Sequence, residues 1–128
     1  MKRLAIVLIG GFFLLNWVMP AAASPTKRCD EVTKTCRIFT HASLWEGYNL
    51  FRNDCKKCHY QGSKKAKFLY TESKVRKGWN RVFDERYPAC AKDGSWGKLT
   101  AEQIARVNDY LFKNAADTYD PYDATDCG

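Results

Sequence analysis

A chain of 128 residues is long enough for one domain, and it shows no internal repeat or low-complexity tract, which excludes repeat and multidomain architectures. Its 21 lysines and arginines against 14 aspartates and glutamates make it net positive by seven. Six cysteines are a large number for this size, and all of them lie beyond residue 28.

Residues 1–23 have the layout of a signal peptide. Lys2 and Arg3 give a positive start, and Leu4 to Val18 is apolar apart from Asn16 and two glycines. Ala21-Ala22-Ala23 supplies the small-residue cleavage pattern. The apolar run is roughly fifteen residues against the ~20 that a membrane-spanning helix needs, so a retained anchor is the competing reading. The expected mature chain starts near Ser24 and is exported, periplasmic or otherwise, with no stable membrane insertion after cleavage. It keeps 19 basic and 14 acidic residues. Arg52 to Arg86 holds eleven basic residues against four acids, whereas Asp109 to Asp126 holds five aspartates against Lys113 alone. An exported chain rarely meets nucleic acid, so the basic region fits a docking face for an acidic protein, or a merely solvated surface.

Residues 24–42 read as an irregular lead-in in which Cys29 and Cys36 lie close enough to bond to each other. Ser43-Leu44-Trp45-Glu46 reads as a capping box opening a first helix, with Leu44, Tyr48 and Phe51 at helical spacing. Gly47 inside that helix costs about 1 kcal/mol relative to alanine, which a close helix–helix approach would justify. A second helix is expected over about 73–86, where Val75, Trp79, Val82 and Phe83 form one apolar face, ended by Pro88. A third opens at Thr100-Ala101-Glu102-Gln103 and carries Ile104, Val107, Tyr110 and Leu111. No segment alternates as a strand should, so the predicted class is all-α, with the domain over 43–113. Residues 114–128 read as an acidic C-terminal extension. It lacks the glycine turn and closing glutamate of a calcium loop.

Between the first two helices stands Cys55-Lys56-Lys57-Cys58-His59. Two thiols at this spacing can add across the vinyl groups of a haem while the following histidine ligates the iron. A thiol–disulfide pair would call for a strand–helix setting, and a zinc site for two further ligands soon after His59; neither is present. Covalent attachment would also give a small domain a cofactor to build its core around.

The chain resembles the class I, single-haem c-type cytochromes over about 43–113. Gly47-Tyr48-Asn49-Leu50-Phe51 leading into the motif, the motif itself, and Leu99-Thr100 opening a last helix that ends Tyr110-Leu111 carry the resemblance. It implies a small helical domain wrapped round one covalent haem c, with Cys55 and Cys58 as attachment points and His59 as axial ligand. It also implies electron transfer between partner proteins and a close crossing of the first and last helices, Gly47 against Tyr110 or Leu111. Trp79 to Phe83 would be an apolar wall of the haem pocket.

The family's other axial ligand is usually a methionine shortly before the last helix, and here the only methionines are Met1 and Met19. Cys90 stands nine positions before Leu99 as a possible sixth ligand, against a disulfide to Cys127. His41, a lysine among Lys64, Lys65, Lys67 and Lys92, and an open position are the alternatives. The expected function is one-electron transfer to or from a redox partner with an acidic face. The alternatives are a haem protein whose open site binds a small ligand, and a subunit of a larger redox complex.

Overall fold

The computed structural model describes residues 27–29 and 34–118. The predicted signal peptide, Cys127, and the aspartates at 120, 123 and 126 lie outside these residues. The described chain is mostly helical, with one small two-stranded sheet. No described helix is long and apolar enough to cross a membrane.

Strands β1 (Lys27–Cys29) and β2 (Cys36–Ile38) pair antiparallel, with Arg28 opposite Arg37 and Cys29 opposite Cys36. The lead-in is therefore a hairpin rather than irregular chain. Strands of three residues are too short to show a period in sequence. A disulfide joins Cys29 to Cys36. Two arginines facing each other across a ladder repel, and here both reach one carboxylate. Arg28 Nη1 donates to Asp109 Oδ1 at 2.6 Å, and Arg37 Nε donates to Asp109 Oδ2 at 2.8 Å. Arg28 and Asp109 are 6% and 1% exposed, so the hairpin is anchored by a buried ion cluster instead of an apolar face. The Arg28 guanidinium also lies 4.3 Å from the centroid of the Phe112 ring.

Helix α1 (His41–Leu50) starts earlier than the sequence pattern suggests. Thr40 is its N-cap. The Thr40 hydroxyl accepts from the Ser43 amide and the Ser43 hydroxyl accepts from the Thr40 amide, each at 3.0 Å. Ser43 thus closes the capping box instead of opening one, because a hydroxyl three residues upstream already satisfies the free amides. Glu46 is released from the cap, and its carboxylate sits 3.6 Å from Arg106 Nε. Phe51–Cys55 continues α1 as a wider π-helical turn.

Helix α2 (Arg76–Glu85) is shorter than the expected 73–86. Thr71–Ser73 is a separate 3₁₀ turn, and Val75 is extended and 47% exposed, outside the apolar stripe. The Asp117 carboxylate accepts from the Arg76 amide at 2.8 Å, so the first residues of the acidic extension cap α2 from afar. Arg86, in the left-handed region at φ 47°, ends the helix before Pro88, which instead caps the short α3 (Ala89–Lys92). Helix α4 (Ala101–Lys113) has the predicted capping box, Thr100 with Gln103.

Helices α1 and α2 both pack on α4, around Phe51, Trp79, Val82, Val107, Leu111 and Ala115. Gly47 is where α1 meets α4. A β-carbon there would strike the Arg106 carbonyl and approach the Tyr110 β-carbon to 2.8 Å. The close approach expected from the helical glycine is present, against Arg106 and Tyr110 rather than Leu111. Gly47→Ala gains about 1 kcal/mol of helix propensity but overpacks this crossing, at a cost of about 1–3 kcal/mol. Its denaturation midpoint falls below that of the parent chain; a midpoint at or above the parent's would show that the crossing is loose.

Candidate cofactor site

The π-helical turn is what delivers the motif. Its wider winding lets the Lys56 amide bond the Phe51 carbonyl at 3.0 Å, five residues back, and places Cys55 at its end. The Cys58 and His59 amides then both bond the Cys55 carbonyl, at 3.2 and 3.0 Å, so the chain coils tightly through the motif. The strand of chain that follows returns antiparallel to it. The Leu69 amide bonds the His59 carbonyl at 3.2 Å, and Lys56 Nζ donates to the Leu69 carbonyl at 2.8 Å. Lys56 also sits 3.9 Å from the centroid of the Phe68 ring. Lys56 is therefore committed inward, whereas Lys57, Lys64, Lys65 and Lys67 stay on the surface.

The same returning segment orients the imidazole. His59 Nδ1 lies 2.7 Å from the Lys67 carbonyl oxygen. A carbonyl can only accept, so Nδ1 carries a proton and Nε2 is the ring nitrogen left to act as a ligand. This is the arrangement in which a histidine is held ready to ligate a metal through Nε2.

Cys55, Cys58 and His59 line one cavity together, with a volume of about 250 Å³ and an open mouth. Its far walls are apolar: Trp79, Val82 and Phe83 from α2, and Leu111 from α4. The α2 residues expected as a pocket wall are all found there. Trp79 is fixed by donating its indole N–H to the Thr71 carbonyl at 2.7 Å, and Phe83 stacks on Trp96 at 5.2 Å between centroids.

Cys90, on α3, lines the cavity as well and carries a free thiol. The left-handed turn at Arg86 brings it there by sending the chain back across the cavity. Its pairing with Cys127 lies outside the described residues. Burial raises the Cys90 thiol pKa, and a hydrogen bond with Trp96 offsets part of that rise. The Cys55 thiol is pushed up to about 12, first by burial and then by the neighbouring Cys90, Asp54 and Cys58.

His41 does not join them. It is exposed in the first turn of α1, stacked on Trp45. Lys64, Lys65, Lys67 and Lys92 are exposed and outside the cavity lining, whereas Lys74, which the sequence pattern did not single out, lines it. Lys74 comes just before α2, between the 3₁₀ turn and Val75, where no periodic signal marks a position as inward. Among the described residues, no group of three or more His, Cys, Asp or Glu side chains is disposed to hold a bare metal ion.

Comparison of the chain with protein-family models, with curated proteins and with solved structures gives no match in any of the three.

The burial of Cys55 has a chemical consequence for the chain with free thiols. A thiol at about 12 instead of 9.0 has about a thousandfold less thiolate at neutral pH, and the thiolate is the nucleophile. Because the folded form holds the proton, alkylation of Cys55 stays slow through the window from 9 to 12 in which the unfolded thiol has already reacted. Peptide mapping after iodoacetamide treatment measures this; equal rates for folded and denatured chain would mean that Cys55 is solvated.

Proposed function

We propose that this chain is a single-haem c-type cytochrome that passes one electron between redox partner proteins. The observation that carries the reading is the donor set on one cavity: two thiols at CxxC spacing and an imidazole with Nδ1 bonded to the Lys67 carbonyl, set against apolar walls. The residues present fit a haem. Cys55 and Cys58 would each add S–H across one vinyl group, sulfur to one carbon and hydrogen to the other, and His59 Nε2 would supply an axial nitrogen. A bound haem contributes a one-electron iron couple, whose potential is set by axial ligands, burial and hydrogen bonds.

The protein's own part is binding and tuning. The Lys67 carbonyl fixes the imidazole ring and raises its basicity. Trp79, Val82 and Phe83 exclude water from one face, and a drier site favours the less charged state of the iron. With no methionine beyond residue 19, Cys90 is the donor proposed for the sixth position, on the strength of its place in the cavity wall. Thiolate ligation lowers a reduction potential relative to methionine. A second reading, in which that position is open and takes a small ligand, is favoured by the apolar walls that Trp79, Val82, Phe83 and Leu111 present.

Export through the signal peptide would bring the chain to a compartment where the Cys29–Cys36 disulfide persists. The exposed Lys57, Lys64, Lys65 and Lys67 lie beside the motif and would steer a partner with an acidic face.

The purified exported protein is expected to hold haem through denaturation and acid–acetone extraction, and to lose it in Cys55→Ala/Cys58→Ala. A colourless protein overturns the haem reading. Carbon monoxide is expected to leave the reduced spectrum of the parent unchanged. It should shift that of Cys90→Ala, whose potential rises; a parent that binds the gas at once supports the open-site reading. Association with the redox partner should slow steeply as salt rises from low to physiological ionic strength, where the screening length falls to about 8 Å. Rates that do not change with salt would remove the docking face.

A further inference from the structure

A file of aromatic rings leads from the cavity to the outer face of α1. Phe51, on the cavity wall, has its ring centroid 6.0 Å from that of Tyr110. Tyr110 is 5.6 Å from Tyr48, and Tyr48 is 5.2 Å from Trp45. His41 stacks on Trp45 at 6.4 Å with the planes 8° apart. These are spacings at which aromatic rings interact directly. Packing explains the inner half of the file, since Phe51 is buried and Tyr110 lies against the core. It does not explain the outer half. Trp45 leaves 57% of its surface in water, more than packing alone calls for in so large a ring. Tryptophan and tyrosine are also among the side chains most readily oxidised by one electron, and touching rings let charge move by short hops.

We propose that Trp45, Tyr48 and Tyr110 form an electron relay between the cavity and the outer face of α1, a second port besides the cavity mouth, for a one-electron oxidant seated at Trp45. The relay depends on the haem reading only for what stands at its inner end. In the outward direction, the oxidant gains one electron from Trp45, and the indole N–H proton goes to water. Tyr48 returns an electron to Trp45, which takes a proton back from water, while the Tyr48 phenol releases its own proton. Tyr110 restores Tyr48 in the same way, and one electron from the cavity group together with a proton from water restores Tyr110. The net result is one electron moved from the cavity to the oxidant, with no proton consumed. Phe51 has no readily oxidised group and acts as the spacer at the inner end.

His41 makes the relay testable, because it is exposed beside Trp45 and the chain's only other histidine is His59. A ruthenium bis(bipyridine) complex coordinated to His41, with the position checked by peptide mapping, can be photo-oxidised by flash and quench. In the full exported protein, re-reduction of the ruthenium is expected to be accompanied by loss of an electron from the cavity group. Trp45→Phe and Tyr48→Phe should slow it at least about tenfold, equivalent to 1.36 kcal/mol or more on the barrier. Both substitutions keep an aromatic ring, and circular dichroism verifies that the helices are retained. Parent-like rates in both variants overturn the relay. If the protein carries no haem, that reading fails separately, by its absorption spectrum. The relay is then read from growth of a tyrosyl radical signal after the flash, which Trp45→Phe should slow by the same factor; a signal equally fast in that variant overturns it.

Discussion

The crossing of α1 and α4 at Gly47 sets the geometry of everything around the cavity. Without a side chain at that point, the α1 backbone settles against the Arg106 carbonyl, and the Tyr48 and Phe51 rings both reach Tyr110. A helix so fixed has one direction in which to continue. The π-helical turn at its end therefore brings Cys55, Cys58 and His59 to a defined place over the α2–α4 pair. A glycine that weakens an isolated helix is here the residue that lets two helices share a backbone contact.

A second contact of α4 is held by charge. Asp109 receives Arg28 and Arg37 from the hairpin, and its burial means that the cluster's worth depends on all its partners being present. Removing the carboxylate would leave two facing guanidiniums without it, a loss of about 3–5 kcal/mol for breaking a buried pair. The disulfide and this cluster divide the work: the Cys29–Cys36 bond closes the hairpin on itself, and the arginines attach it to the helical domain. One helix thus carries an apolar seam for α1 and α2 and a buried anion for the β-hairpin.

Among the described residues, the largest fully buried side chains are Trp79, Leu111, Val107 and Asp109. The helices surround unfilled space, and the walls of that space are apolar except at Asp54 and Lys74 and where the motif and the chain from Tyr87 to Trp96 meet it. A domain arranged in this way is suited to a large apolar cofactor as part of its core. The proposed haem accounts for the cavity, for the orientation of His59 and for the paired thiols together.

Local chemistry was readable from the residues alone. The Thr100–Gln103 capping box, the Trp79, Val82 and Phe83 part of the α2 face and the helical glycine all have signals within a few positions, and each is found in the structure, whereas Val75 lies outside that face. Errors arose where two local solutions competed or where a partner was remote. Thr40 took the α1 cap from Ser43 because both offer a hydroxyl three residues apart. The hairpin escaped notice because its stability comes from Asp109, more than seventy residues away. Asp117 caps α2 from 41 residues away, which no pattern in sequence records. Which of the candidate donors lie at the cavity is likewise set only by tertiary structure. His41, Cys90 and the lysines are chemically plausible as residue types, but the turn at Arg86 carries Cys90 to the cavity while the helix cap leaves His41 on the surface. Residue type and spacing determined which chemistry the chain can attempt; the path of the backbone decided which donors meet, because that path is set by contacts between residues far apart in the chain.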